Sequence, residues 1–313
     1  MSNIFTPADM PQRRPADFGP ITEGHETRIR SFAFFAYRGG REEQLTPTEL
    51  GQRAWRDALT SLADLAEPED WSGPDPSERP LPILDSFLRY THQRLVMEDK
   101  IAVSGTREYA ALNTGLLTPY AEEIFGLFRR NSHDGGQPWF FVRWATESDR
   151  DLLREFEEPP QMAEYVSSAS DLVYDWRREL KLAYGHILGD NIERFPPDLA
   201  TQPRRAQQAL DSAINWALRK ARRNYKVIVP QWYPVLGESG AQFLMPLDLT
   251  GDGRADLALV VSAVGDQAYR GNTVLTLAMA YTNARLVARP DSDWLVPSAA
   301  PVRTDEEIFK EPS

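Results

Sequence analysis

The chain has 313 residues, with 35 Lys or Arg against 46 Asp or Glu, so its formal charge is −11. It contains no cysteine, which excludes disulfide bonds, thiol nucleophiles, thiolate-ligated zinc and iron–sulfur clusters. The sequence shows neither a run of about 18 apolar residues nor an N-terminal signal pattern. We therefore expect a cytoplasmic protein with no membrane partner.

The acidic balance limits how this protein could contact nucleic acid. Phosphate neutralisation by Lys and Arg supplies most of the affinity of proteins that coat a duplex. A net charge of −11 argues against such a basic coat. It leaves room for a small basic groove that grips one nucleotide or a short single strand.

The first part of the chain is predicted to be largely helical after a polar arm. Four prolines interrupt residues 1–30, and the aromatic segment Ser31–Tyr37 predicts a short strand or an anchor. Thr46–Glu49 has a proline and a carboxylate where a helix commonly begins. The prolines of residues 67–82 predict a loop.

Residues 83–130 show the order helix, hairpin, helix. Apolar spacing predicts a helix from Ile83 to about Asp99, and two alternating runs at 100–104 and 108–113 predict a hairpin. A second helix is predicted over 119–130. This order is typical of a winged-helix unit, and an ordinary α+β hairpin remains the alternative.

The rest of the chain is predicted to be a sheet with helices. Trp139–Trp144 predicts a buried strand, and Ser148 caps a predicted short helix. Long helices are predicted over 170–190 and 206–223. Short turns then separate predicted strands at Lys226–Val229, Gln242–Leu247, Asp256–Val264, Thr273–Tyr281 and Arg285–Ala288.

The connections between those strands are too short for helices, which favours antiparallel pairing. The sequence therefore predicts an α+β fold, in which a helical N-terminal portion with a winged-helix-like hairpin precedes an antiparallel sheet backed by two long helices. The expected divisions are an arm at 1–30, the helical portion at 31–135, the sheet and its helices at 136–296, and a loose tail at 297–313.

Two local patterns suggest ligands. Asp248–Asp256 places oxygen side chains around a Gly-Asp-Gly turn, as calcium loops do, but a metal-free hairpin explains the same residues. The cluster Arg219–Lys226 puts five cations at a predicted helix end, where the helix dipole alone favours cations. Five exceed what a cap requires, so an anion site is the other interpretation.

Residues 269–293 concentrate Arg, Asn and Tyr among strand-like residues. Guanidinium groups fit phosphate oxygens and aromatic rings stack on bases, so this composition is typical of phosphate and base recognition. The alternative is a network of ion pairs from Arg285 or Arg289 to Asp291 or Asp293. The predicted ligand-binding residues are Arg222, Asn224, Tyr225, Lys226, Gln231, Arg270, Tyr281, Asn283, Arg285 and Arg289.

Three functions remain open. The first is a binding module with a compact phosphate and base pocket, whose partner is short single-stranded RNA, an RNA end or a nucleotide. The second is an enzyme acting on an RNA end or nucleotide phosphate, with Asp291 or Asp293 as general base or metal ligand. The cofactor of such an enzyme stays open: magnesium is a candidate, and calcium is disfavoured. The third is a protein-interaction scaffold.

Several short segments of the sequence together resemble the bacterial and fungal family called domain of unknown function 3825. They are Leu112–Thr118, Pro138–Phe141, Thr146–Asp149, Arg223–Lys226 with Val229–Gln231, Ala255–Val261 and Tyr281–Trp294. The resemblance covers about residues 30–296. It implies a link to RNA processing, repair or defence, because members are often joined to LOTUS-type winged helices, cold-shock domains and nuclease-like modules.

Overall fold

The computed structural model describes residues 28–37, 45–72, 81–133, 136–166, 168–233, 242–291 and 294–295. Most of the expected arm, all of the expected tail and Asp293 lie outside the described residues. Helices and two sheets occur together, which confirms the α+β class. Within those ranges, no helix has the length and apolar character needed to cross a bilayer.

The helices fall into long and short elements. The α-helices are α1 (Arg28–Phe32), α2 (Pro47–Leu65), α3 (Pro82–Met97), α4 (Arg150–Glu155), α5 (Pro197–Ala200), α6 (Pro203–Ala221) and α7 (Leu277–Val287). Single turns of 3-10 helix lie at Ala169–Leu172, Ile192–Arg194 and Tyr225–Val227, and a π-helix lies at Gly185–Asp190. Helix α2 begins at Pro47, within the predicted start at Thr46–Glu49, and Thr46 and Glu49 form a capping box there.

The strands form two five-stranded sheets. Sheet 1 has the order β1-β5-β4-β3-β2 and contains β1 (Ala33–Phe34), β2 (Ala102–Val103), β3 (Tyr109–Leu117), β4 (Glu123–Arg130) and β5 (Trp139–Thr146). Sheet 2 has the order β6-β10-β9-β8-β7 and contains β6 (Glu179–Leu182), β7 (Val229–Gln231), β8 (Gln242–Leu247), β9 (Leu257–Val264) and β10 (Ala268–Leu275).

Most neighbouring strands in both sheets are antiparallel. The exceptions are the β1–β5 pair in sheet 1 and the β6–β10 pair in sheet 2, which are parallel. The antiparallel prediction therefore holds for β7 to β10 and is wrong for the edge formed by β6, which lies within the segment predicted to be a helix.

The elements stack in layers because each sheet buries apolar side chains on both faces. Helix α6 packs on the outer face of sheet 2. Leu152 of α4 and Phe156, which follows α4, pack on the outer face of sheet 1. The inner faces of the two sheets share one core with α1, α2, α3 and α7. Helices α3 and α7 are in contact between the sheets, and we call this pair the central layer.

The second helix of the expected winged-helix unit is wrong, because residues 123–130 form strand β4 between β3 and β5. Ile124, Phe125, Leu127 and Phe128 are all fully buried. Such a continuous apolar run has no helical or strand period of its own, since both faces of the element are covered. Pairing with β3 and β5 makes this segment a strand, so the predicted order of helix, hairpin and helix is not observed.

The helix predicted over 170–190 is also wrong. That stretch contains a 3-10 turn, strand β6 and the π-helix, so only α6 backs sheet 2 as a long helix. Smaller differences are that α4 begins after Asp149 rather than Ser148, and that a 3-10 turn precedes β7.

Of the last two predicted strands, Thr273–Tyr281 is right only as far as Leu275, and Arg285–Ala288 is wrong, because helix α7 occupies Leu277–Val287. Strand β10 ends at Leu275, and the Thr276 hydroxyl then accepts a hydrogen bond from the Met279 amide at 3.4 Å. This N-cap satisfies an orphan donor of the first turn. The helix changes which of the predicted site residues can share a face.

Gly271 provides a test of the packing between β10 and its neighbours. A Cβ at this position would lie 2.9 Å from Leu182 Cδ2 and 3.2 Å from Leu259 Cδ2. We expect Gly271→Ala to lower the free energy of unfolding by about 1–3 kcal/mol in urea denaturation. Gly189→Ala is the control, because nothing lies within 4 Å of its added Cβ. Equal stability of both variants would contradict this packing.

Candidate functional site

A cavity of about 240 Å³ lies where α3, β3 and α7 meet in the central layer. Its lining combines apolar and aromatic side chains with the charged Glu67, Glu69, Arg285 and Arg289. Small-molecule sites usually have this character, with a few polar groups in an apolar wall. The apolar lining residues are Ala66, Trp71, Phe87, Leu116, Leu117, Met162, Ala163, Leu286, Val287 and Ala288.

A buried ion pair holds one wall of the cavity. Arg285 Nε donates to Glu69 Oε1 at 2.8 Å and to Oε2 at 3.0 Å, and the Tyr281 hydroxyl donates to Oε1 at 3.1 Å. The side chains of Arg285 and Glu69 are 12% and 4% exposed. Tyr281 and Arg285 are four residues apart on α7, so both reach the same carboxylate from one helical face.

Two aromatic rings fix the Arg285 guanidinium further. Its central carbon lies 5.1 Å from the ring centre of Trp71 and 4.7 Å from that of Phe87. Guanidinium groups are attracted to the faces of such rings. Only Nε of Arg285 makes hydrogen bonds within the described part of the chain. Its two Nη groups therefore remain available to an acceptor that enters the cavity.

Two further donors at the cavity have no partner among the described residues. Arg289 is exposed and makes no ion pair there, and the Trp71 indole Nε1 is buried without an acceptor. A buried hydrogen-bond donor without an acceptor lowers the free energy of unfolding by about 1–3 kcal/mol. An acceptor group on a ligand in the cavity would remove that penalty.

Tyr281 stays protonated at neutral pH. Burial, together with the charge and hydrogen bond of Glu69, raises the pKa of the Tyr281 phenol to about 12. The phenol is therefore a donor to the Glu69 carboxylate and is not a general base near pH 7.

Asn283 and Gln231 contact each other outside the cavity. Asn283 Nδ2 donates to Gln231 Oε1 at 3.1 Å, and Gln231 Nε2 donates to Gln242 Oε1 at 3.1 Å. Gln242 and Asn272 both donate to the Ser262 hydroxyl at 2.9 Å. These five side chains form a continuous polar chain on the face of sheet 2 beside α7.

The remaining predicted ligand-binding residues lie on the surface. The Arg222 guanidinium lies 4.9 Å from the Trp176 ring centre, and Tyr225 is 65% exposed. Asn224 accepts a hydrogen bond from the Lys226 amide at 3.1 Å and so caps the 3-10 turn. Arg270 is exposed on β10, opposite Ser262 and Lys181 in the strand register.

Asp291 forms a surface ion pair with Lys226. The Lys226 ammonium donates to Asp291 Oδ2 at 2.5 Å, and this hydrogen bond lowers the pKa of the carboxyl. Asp291 does not line the cavity and is 85% exposed. The predicted ion pairs of Arg285 or Arg289 with Asp291 are therefore absent from the described residues. The catalytic roles predicted for Asp291 and Asp293 stay predictions.

The Asp248–Asp256 loop uses its carboxylates to hold its own backbone. Asp248 accepts from the amides of Gly251 and Gly253 at 2.7 and 3.0 Å, and Asp256 accepts from Leu249 at 2.7 Å. These bonds account for the Asp and Gly pattern as a hairpin between β8 and β9. Among the described residues, no group of three or more His, Asp or Glu side chains could hold a metal ion.

The structure thus separates the predicted site into parts. The cavity contains Arg285 and Arg289, with Tyr281 bonded to its wall, while Asn283 and Gln231 belong to the polar chain and Arg222 to Lys226 lie beyond α6. Sequence reasoning missed Glu69 and Trp71, and also Tyr165, which lines the cavity. The available signal was Trp71 itself, an aromatic residue in an otherwise polar, proline-rich stretch.

Glu69→Ala tests the buried ion pair. Removing the carboxylate leaves the Arg285 charge buried without its partner, so we expect a loss of about 3–5 kcal/mol in the free energy of unfolding. Glu67→Ala is the matched control, because Glu67 lines the same cavity but is exposed. Its expected change in urea denaturation stays within about 0.5 kcal/mol. Equal effects would rule out the ion pair as a stabilising contact.

The raised pKa of Tyr281 predicts a loss of stability in alkali. The phenol ionises near its ordinary value of 10 in the unfolded chain and at about 12 in the folded chain. Stability linked to this proton is therefore complete below pH 10 and is lost as the pH rises towards 12. We expect Tyr281→Phe to flatten the fall in unfolding free energy between pH 10 and 12. The exposed Tyr120→Phe should leave that fall unchanged; an unchanged fall in Tyr281→Phe would refute the assignment.

A family model matches most of the sequence that forms this architecture. The family model called domain of unknown function (DUF3825) matches residues 62–294, from the last turn of α2 to Trp294. No curated protein and no solved structure matches the chain. The matched segment includes every described residue that lines the cavity. The chain therefore belongs to the domain of unknown function 3825 family.

Proposed function

We propose that the cavity binds one nucleotide, either free or at the end of a single-stranded RNA. The observation that carries the proposal is the pairing of aromatic walls with two guanidinium groups, one fixed by Glu69 and one without a partner in the described chain. The base would occupy the apolar part, and the phosphate would contact Arg285 and Arg289.

The size of the cavity favours a single base. Pockets for drug-sized ligands are about 300–1,000 Å³, and this cavity has about 240 Å³. One planar ring system with part of its ribose suits that volume, whereas two stacked bases would not. Further phosphates or nucleotides of a strand would therefore extend outwards into solvent.

The two arginines would have different roles. Glu69 balances the charge of Arg285, so Arg285 mainly offers directed Nη donors whose position is fixed before a ligand arrives. Arg289 has no carboxylate partner among the described residues, so its charge would be neutralised by the phosphate itself. Planar guanidinium groups suit both tasks because their donors match phosphate oxygens.

The family supports RNA as the source of the nucleotide only by association. The resemblance of this chain implies relatives that are joined to modules of RNA biology, and a fold-level association does not specify a mechanism. The aromatic and guanidinium groups of the cavity support a ligand with a base and a phosphate. A free nucleotide and an RNA end remain to be separated by experiment.

Arg289→Ala tests the phosphate contact. We expect the wild-type protein to bind nucleoside monophosphates, and Arg289→Ala to weaken binding about 10-fold or more, because hydrogen bonds to charged groups contribute about 1.5–3 kcal/mol. Calorimetric titration with each of the four ribonucleoside monophosphates, and with tetranucleotides that carry a 5′ or a 3′ phosphate, would measure the effect.

Arg204→Ala provides the control for that titration. Arg204 is exposed at the beginning of α6, so the variant loses the same charge far from the cavity. Its affinity should equal that of the wild type. Absence of binding to all probes, or equal losses in both variants, would refute the proposal. Tighter binding of one tetranucleotide than of its monophosphate would identify an RNA end.

A further inference from the structure

The exposed side of α6 combines cations with aromatic rings. Trp216, Arg219 and Lys220 follow helical spacing of three and four residues on α6, so they form one stripe. Arg223 lies two residues beyond the end of the helix, and its guanidinium donates to the Arg219 carbonyl at 2.8 Å, which adds it to this stripe. Arg222 at the C-cap extends this stripe to Trp176. We call these six residues the basic aromatic face. None of them lines the cavity.

Cation–ring contacts organise this face. The Lys220 ammonium lies 6.0 Å from the Trp216 ring centre. The guanidinium groups of Arg177 and Arg222 lie 4.5 and 4.9 Å from the Trp176 ring centre. One indole is thus contacted by two positive groups. The contacts hold rings and cations next to each other at the surface before any ligand arrives.

Carboxylates of the described chain do not neutralise the cations of this face. Arg219, Lys220, Arg222 and Arg223 are exposed and form no ion pair with any described residue. By contrast, nearby Arg177 lies 3.5 Å from Asp175. Four cations within residues 219–223, with no carboxylate partner in the described part of the chain, are unexpected in a protein whose net charge is −11.

The helix dipole explains only part of this arrangement. Cations in the last turn of a helix are favourable, which accounts for one or two of these residues. The dipole does not account for Trp216, which is 61% exposed on the same stripe. A large exposed indole next to unpaired cations is the composition that single-stranded nucleic acid sites use, because phosphates need cations and bases stack on rings.

We propose that the basic aromatic face binds single-stranded nucleic acid. Phosphates would contact Arg219, Lys220, Arg222 and Arg223, and a base would stack on Trp216. A single strand fits this face better than a duplex, because in a duplex the bases are stacked on each other and leave no ring face for an indole. This surface is separate from the cavity, so its binding does not depend on the nucleotide proposal.

The probes are fluorescent 12-nucleotide oligouridine and oligothymidine, measured by anisotropy. Four phosphate contacts predict that affinity falls about 50-fold between 50 and 200 mM salt. Replacing Arg219 and Lys220 together by Ala should weaken binding about 10-fold or more and halve the slope against salt concentration. Alanine keeps the helix propensity, and urea denaturation confirms that each variant is folded.

The matched control replaces Arg204 and Arg205 by Ala at the other end of the same helix. It removes the same charge and should leave oligonucleotide binding nearly unchanged. Trp216→Ala should weaken binding about fivefold or more, and Trp216→Tyr should restore most of it, since stacking requires only a ring. Restoration by tyrosine would not follow if the indole had a merely structural role.

Three outcomes would overturn this proposal. The first is absence of binding to both oligonucleotides at 50 mM salt. The second is an equal effect of the control pair and of Arg219 with Lys220. The third is equally tight binding of a polyglutamate peptide of matched charge, which would assign the face to an acidic protein segment. If an oligonucleotide binds with the expected variant pattern, the preferred sugar identifies RNA or DNA.

Discussion

The Glu69–Arg285 ion pair connects parts of the chain that are far apart in sequence but meet at the centre of the molecule. Glu69 follows α2, whereas Arg285 lies near the end of α7. A charge held in an apolar layer must be paired and hydrogen-bonded. The pair, the Tyr281 hydroxyl and the rings of Trp71 and Phe87 together satisfy that requirement. Arg285 thus links α7 to the segment that follows α2 and, through the Phe87 ring, to α3.

The same contact also creates the conditions for binding. By using Nε alone, the ion pair leaves the Nη groups of Arg285 fixed in position at the cavity wall. Preorganised donors lose little conformational entropy when a ligand arrives. One arginine can therefore form a structural ion pair and still offer donors to a ligand. The structural and binding hypotheses for Arg285 are compatible, since different nitrogen atoms would serve the two roles.

The sequence predicted an element correctly where its apolar residues recur with the spacing of a helix or a strand. Helix α6 was predicted within a few residues, because one of its sides faces sheet 2 and the other faces solvent. Strand β4 has both faces buried, so its apolar run carried no period and was assigned to a helix. Sequence composition could not reveal that neighbours cover β4 on both sides.

The error over α7 explains why the candidate site was only partly predicted. In a strand, residues 281, 283 and 285 would share one face, and a single pocket could include them all. On a helix, Tyr281 and Arg285 share a face while Asn283 points elsewhere, which matches their separate partners Glu69 and Gln231. Glu69 was missed because a pair 216 residues apart leaves no local pattern.

The net negative charge bears on how both surfaces would select a ligand. At physiological ionic strength the Debye length is about 8 Å, so the cations of the basic aromatic face are largely screened from distant carboxylates. At about 10 mM salt that length is about 30 Å, and repulsion by the whole chain of charge −11 would reach an approaching polyanion. Affinity therefore has to come from short-range contacts rather than from long-range attraction. A ligand that offers an exposed base as well as a phosphate would therefore suit the two proposed sites better than a duplex that offers phosphate alone.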